Sequence, residues 1–374
     1  MTRARHWTRW LALGAVASSA ACVVPSRRPD AAPSSSLVQG RSFVEQFDTL
    51  FTRFNDVYPS FAYKGLDWRA QRAKYRARAL RARSQDELIA VLVDMLTPLR
   101  DLHVWLVDPR GQVVPTFRPP GRANFERARW ESAMRDASYL AHSRDFGEGT
   151  VGGYAYLYIG AWKDPVSEEA LDSALTRLRV APGLIIDVRN NAGGTDQTAL
   201  AFASRFTTRA FTASYVEIRT DSLVKNIEMP LARTISPRGG WQFTRPVVVL
   251  SGRGGFSATE SFVAAMRTLP QVTVVGDTTG GASGNPATFA LGNGWRFTVP
   301  RWLEFGPDKR PIEGRGVAPH VAMTWDPANY DSARDPLIDA AVGLLGERNG
   351  VYHIVPASSH ETRAESAPAG GARR

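Results

Sequence analysis

Cysteine is almost absent from this chain. One thiol, Cys22, and six scattered histidines are all that 374 residues contain. A single cysteine excludes an internal disulfide framework and a cysteine metal cluster. There is no HExxH pair and no Walker loop. Zinc-protease and nucleotide-phosphate chemistry therefore lack their usual residues, and no cofactor or metal is expected. Nucleic-acid-binding motifs and internal repeats are missing as well, and no nucleic-acid partner is expected. Lys plus Arg is 46 against 36 for Asp plus Glu, a net charge of +10, which alone is weak grounds for an anionic partner. With 43% hydrophobic and 22% charged residues, the composition is that of a globular protein. Wholesale disorder and a multi-pass membrane protein are both excluded. The length predicts two or three domains, or one large and one small, at about 100–200 residues each.

What is present begins with an address. Arg3, Arg5 and Arg9 precede an apolar run, Trp10–Ala17, that is too short to span a bilayer comfortably. Small residues follow, then Cys22. This is the plan of a secretory signal peptide over residues 1–22. The small residues before Cys22 resemble the lipobox of bacterial lipoproteins, although Ser19 stands where Leu is usual. Lipidation of Cys22 is the expectation, with an incidental cysteine as the alternative. Val23 and Val24 follow without an acidic residue, which points to outer-membrane sorting in a Gram-negative periplasm. Residues 23–40, rich in Pro, Ser and Ala, read as a flexible tether, and 347–374 as a disordered tail.

Between the tethers two textures alternate. Residues 41–107 are helical in pattern, with Phe43, Phe47, Leu50, Phe51 and Phe54 at spacings of three and four. A second helix is expected over Asp67–Arg83, with bases all round its wheel. A third is expected over Ser84–Leu99, opened by the capping box Ser84 and Glu87. Residues 108–150 form a connecting segment with a helix expected at Asn124–Ala141. From residue 151 to 346, buried strands (Leu184–Val188, Pro246–Leu250, Val272–Val275) alternate with helices. That alternation predicts an α/β core with crossover helices.

Chemistry is concentrated in glycine-rich turns at strand ends, where α/β folds place their sites. The first is Asp187–Thr195, with Gly193 and Gly194; the second is Ser251–Glu260, with Ser257 at a helix start. The third is Val275–Pro286, the fourth is Pro311–Pro319 with Glu313, and the fifth is Leu99–Val104 with His103. Read singly, each has an ordinary structural role. Ser257 and Glu260 can simply cap a helix, Glu313 can be a surface charge, and a lone histidine is usually structural.

In this order the five segments resemble the C-terminal processing (tail-specific) serine peptidases, in their tricorn core-like and retinoid-binding-protein-like branch. The motifs are Asn-x-Gly-Gly, Phe-Ser-Ala-x-Glu, Val-Gly-Asp-Thr-Thr-Gly-Gly and Glu-Gly-x-Gly-Val-x-Pro. The resemblance implies a crotonase-like (ClpP/crotonase-type) α/β core behind an N-terminal helical subdomain. It implies Ser257 as nucleophile, His103 as base, Glu313 as the group orienting the base, and amides of Gly193 and Ala258 as the oxyanion hole. The Ser–Lys branch is disfavoured, because no Lys lies between Ser257 and Lys309. The connecting segment is too short for a PDZ domain, so recognition of protein tails by that module is not expected. His320, where Asp is usual, is read as structural. The implied activity is cleavage of peptides or unfolded proteins by acyl-enzyme chemistry. The rivals are a catalytically inactive binding protein for apolar ligands or peptides on the same fold, and a structural envelope protein. Oligomeric state is left open.

Overall fold

A computed structural model describes residues 41–121, 123–135, 137–218, 230–324 and 334–349. Cys22, the expected signal peptide and tether, and residues 350–374 lie outside the described residues. The chain opens with Phe43–Val57 (α1), whose N-terminus is closed by a reciprocal Ser42–Glu45 capping box. Its apolar stripe buries Phe47, Leu50 and Phe54 completely. Trp68–Arg81 (α2) follows. Part of its basic surface is neutralised, with Arg72 and Arg76 on Asp48 and Arg78 on Asp94. Gln85–Leu96 (α3) is capped by Ser84 and packs Leu88, Leu92 and Met95 against α1. Pro98 then tightens the last expected turn, residues 97–99, into a 3₁₀ helix.

Trp105–Val107 (β1) and Val113–Pro115 (β2) come next. They do not stay within the helical part. They pair with a hairpin from far along the chain, and Leu106, Leu291, Phe297 and Val299 seal the core of α1–α3.

The helix expected over Asn124–Ala141 is corrected to Arg127–Arg135 (α4), followed by a strand pair, Leu140–Ser143 (β3) and Phe146–Val151 (β4). The cause is local. Gly149 lies against the 138–139 backbone, where a Cβ would come within 2.6 Å of the Ser138 carbonyl. That contact draws the chain into a hairpin where continued helix was expected. Tyr154–Ile159 (β5), Glu168–Leu178 (α5), Leu184–Asp187 (β6) and Asp196–Ala203 (α6) then alternate as expected. Phe211–Ile218 (β7) and Leu231–Ile235 (β8) form a side sheet. Val247–Ser251 (β9), Ala258–Arg267 (α7) and Val272–Gly276 (β10) resume the alternation. Ala287–Gly292 (β11) and Trp295–Val299 (β12) make the hairpin that joins β1, in the order β11-β12-β1-β2. Trp302–Phe305 (β13) completes the side sheet, β13-β7-β8. Val321–Ala322 (β14) and Pro336–Arg348 (α8) close the fold.

The central sheet has seven strands in the order β14-β10-β9-β6-β5-β4-β3, with β14 through β5 parallel. Leu184, Ile186, Val247 and Val249 face α5–α7, with Leu175, Phe202 and Phe262. Ile185, Val248 and Leu250 face α4 and α8, with Trp130, Leu337 and Leu345. Both faces of β6 and β9 are covered, which is why their sequences read as nearly unbroken apolar runs. The expected α/β core is present. At the carboxyl ends of its parallel strands lie the first three glycine-rich turns.

Behind those turns, Arg189 is fully buried with Asp187 and Asp335, each at 2.7 Å from Nη2. Its Nη1 also donates to the Asn124 carbonyl. This pinned cluster anchors the base of the first turn to α8 and to the connecting segment.

Candidate active site

Ser257 sits between β9 and α7 with φ 60° and ψ −129°. A non-glycine residue in that region is strained and is held there by its surroundings. Its amide donates to the Ala282 carbonyl at 2.9 Å and approaches Glu260 Oε2 at 3.3 Å. The second turn is tied to the first through Thr259, whose hydroxyl donates to the Asn191 carbonyl and accepts from Trp162 Nε1. It is tied to the third by the Gly280 amide on the Gly255 carbonyl, 2.7 Å.

Glu260 fastens the same junction from inside. The Thr279 hydroxyl and the amides of Gly281 and Ala282 all donate to its buried carboxyl, at 2.5, 2.8 and 2.7 Å. Burial nonetheless pushes its pKa up to about 8, since these donors only partly replace water.

Gly193 packs directly on Ser257. At its φ of 97°, a Cβ would fall 2.7 Å from Ser257 Cβ and 3.2 Å from Oγ. Only glycine admits that approach. The Gly193 amide donates to Asn191 Oδ1 at 2.9 Å. Oxyanion binding by that amide therefore requires it to exchange an internal partner for the substrate oxygen. Ala258 is the first residue of α7, so its amide is one of the donors a helix leaves without an internal acceptor.

His103 is 4% exposed and packs edge-on to Phe256, with centroids 6.1 Å apart. Its Nδ1 lies 3.0 Å from the Ser283 carbonyl. A carbonyl only accepts, so Nδ1 carries the proton and the neutral ring has its lone pair on Nε2. Burial pushes the imidazole pKa below its ordinary value, against the opposing charge of Asp101 and the Ser283 carbonyl. The ring is thus a neutral base at pH 7. No hydrogen bond among the described residues joins it to Ser257 Oγ.

Glu313 is placed differently from the expectation that it orients His103 directly. Its Oε2 accepts the Ser283 amide at 3.0 Å, and Oε1 meets Lys64 Nζ at 2.6 Å. The carboxylate reaches the imidazole only through the backbone of Ser283. Burial and the nearby Asp101 charge raise its pKa, and Lys64 opposes them. Asp101, also buried, accepts the His103 amide at 2.8 Å and the Tyr58 hydroxyl at 2.9 Å. Sequence reasoning gave no role to Lys64, Asp101 or Ser283. Asp101 had a signal, its place two residues before the histidine. Lys64 had none. His320 is structural as expected: its Nδ1 accepts from the Val274 amide at 3.1 Å and ties β14 to β10.

Comparison with known proteins bears on this arrangement. Residues 153–323 match peptidase family S41, and residues 41–97 match the tricorn protease C1 domain. The chain is 27% identical over 287 residues to tricorn protease homolog 1 of Streptomyces coelicolor, covering 73% of this chain and 25% of that protein. It is 29% identical over 175 residues to the carboxy-terminal processing protease CtpA of Bacillus subtilis, covering 46% of this chain and 34% of that one. The chain therefore spans a quarter to a third of the length of these relatives. Among solved structures, a candidate peptidase from Parabacteroides merdae superposes with a TM-score of 0.73 at 29% identity, covering 82% of this chain and 97% of that chain. The tricorn protease shares the fold at a TM-score of 0.54 and 16% identity, covering 82% and 37% of the two chains.

Proposed function

We propose, from the match of residues 153–323 to peptidase family S41, that this chain is a serine peptidase of that family whose nucleophile is Ser257 and whose base is His103. The observation that carries the reading is Ser257 in left-handed backbone at the head of α7, with Gly193 packed on its Oγ. In this mechanism His103 Nε2 takes the hydroxyl proton as Oγ attacks the scissile carbonyl. The C–N bond breaks as the imidazolium returns that proton to the leaving amine, and water then hydrolyses the acyl-enzyme by the same route. Ala258 and Gly193 amides receive the oxyanion, each such donor lowering the barrier by roughly 3–4 kcal/mol. Glu313 and the Ser283 backbone position the base. The substrates are peptides or unfolded proteins of the cell envelope, reached from a lipid anchor on Cys22 in the outer membrane.

A fluorophosphonate probe tests the assignment. Labelling of the wild type that disappears in Ser257→Ala and falls sharply in His103→Gln supports it. Undiminished labelling of Ser257→Ala overturns it. Membrane fractionation of Cys22→Ser tests the anchor, and a variant that still sediments with membranes overturns that part. A second reading, a binding protein that no longer cleaves, draws on the internal partner of the Gly193 amide and the missing Ser257–His103 bond. Ordered peptide binding without probe labelling would favour it.

A further inference from the structure

Beside the candidate site lies a cavity of about 670 Å³. Leu102, Gly281 and Gly314 line it, so its wall is formed by the immediate neighbours of His103, Ala282 and Glu313. Lys64, Arg100, Arg253 and Arg315 line it too, and no Asp or Glu does. Lys64 is occupied by Glu313. The three arginines make no ion pair among the described residues. Arg100 lies over the Phe117 ring at 5.5 Å, and Arg253 reaches only the Pro120 carbonyl, at 3.4 Å.

Surface arginines are usually solvated singly. These three differ in where they come from. Arg100 precedes His103 by three positions, Arg253 precedes Ser257 by four, and Arg315 follows Glu313 by two. Three separate turns, each carrying one member of the proposed catalytic set, contribute an arginine to the lining of one cavity. Arg100 is moreover held at φ 47°, a conformation that a non-glycine residue seldom adopts. Like charges gathered round one cavity repel unless an anion joins them.

We propose that this cavity binds carboxylate groups of an acidic peptide and so selects substrates with negative charge next to the scissile bond; the inference rests on the peptidase reading for its substrate. A guanidinium fork matches a carboxylate with two parallel hydrogen bonds, which a cavity of several arginines can do for more than one group. The carboxylates are those of Asp or Glu side chains within the peptide, and the test separates them from a free C-terminus.

The full chain is assayed on three fluorogenic peptides of one core sequence. One has internal acids and an amidated end, one has a free C-terminus and no acid, and one has neither. Wild type is expected to favour the internally acidic peptide over the other two by about tenfold or more in kcat/KM, from charge-assisted hydrogen bonds. That ratio falls towards one in Arg100→Gln/Arg253→Gln/Arg315→Gln and on raising KCl, and it persists in Arg81→Gln. The ratio, unlike an absolute rate, is not mimicked by partial unfolding. No preference for the internally acidic peptide in wild type, a preference for the free C-terminus alone, or a preference for internal acids that survives in the triple variant, overturns the proposal. If nothing is cleaved, the peptidase reading fails, and anisotropy on Ser257→Ala decides this one separately. Tighter binding of the internally acidic peptide, lost in the triple variant, sustains the site. Equal binding of all three rejects it.

Discussion

His103 and Glu313 hold the two sides of one residue. The imidazole donates to the Ser283 carbonyl, and the carboxylate accepts the Ser283 amide, both at 3.0 Å. The backbone thus does the work of setting the tautomer, while the negative charge sits one residue away, paired with Lys64. A base fixed by a neutral carbonyl keeps less of its positive charge stabilised than one fixed by a carboxylate.

The first expectation concerns pH. Burial lowers the His103 pKa, so the base stays deprotonated to more acid pH than an ordinary histidine at about 6.5. Peptide hydrolysis should rise with pH along an acid limb whose midpoint lies below that value. His103→Gln should cost about 10²–10⁴-fold in kcat/KM. A midpoint above 7 would mean that the imidazole is stabilised as a cation, contrary to its surroundings.

Lys64 is expected to matter first for the fold. Its partner Glu313 is 1% exposed, and breaking a buried pair from one side costs about 3–5 kcal/mol. Lys64→Met should lose stability on that scale in urea denaturation. Lys64→Met/Glu313→Gln should recover much of it, because no charge is left stranded. A double variant no better than the single one would contradict the pairing.

Gly193→Ala should separate activity from folding. The added methyl would meet Ser257 Cβ at 2.7 Å in a backbone conformation unsuited to alanine. Turnover is expected to drop at least about 10²-fold, the scale of losing one oxyanion donor. The melting temperature should move little by comparison, since the strain is confined to one turn. Retention of full activity would show that the first turn does not border the reacting carbonyl.

Asp335→Ala should do the reverse. It removes one of two carboxylates that neutralise a completely buried guanidinium, and about 3–5 kcal/mol of stability is expected to go with it. Because Arg189 anchors the base of the first turn, activity should fall only as the folded fraction falls. A kcat loss in protein shown by circular dichroism to be fully folded would count against this division.

How much of this could be read from the residues depends on what each one uses. β6, β9, β10 and α7 were legible because burial on both faces leaves an apolar run, and the turns after them carry glycine for steric reasons. β1 and β2 were not. Three-residue strands give no period, and their partner β12 lies far along the chain. The β3–β4 hairpin was hidden by glycines, which are poor strand formers but permit the contact with residues 138–139. At the candidate site, motifs singled out Ser257, His103 and Glu313. Ser283 was not among them, since it acts through an amide and a carbonyl that every residue but proline possesses. Lys64 sits in a loop between two helices, where a lysine ordinarily reports nothing but solvent.

The hydroxyl and the imidazole ride on different slabs: one at the rim of the seven-stranded sheet, the other leading into the four-stranded sheet that roofs the helices. Their separation therefore depends on how the two sheets pack, and no single loop sets it. A slip of about 1 Å along such a seam can cost roughly a hundredfold in rate. Turnover should accordingly be the first property to suffer when packing along that seam is altered, well before the molecule shows any readiness to unfold.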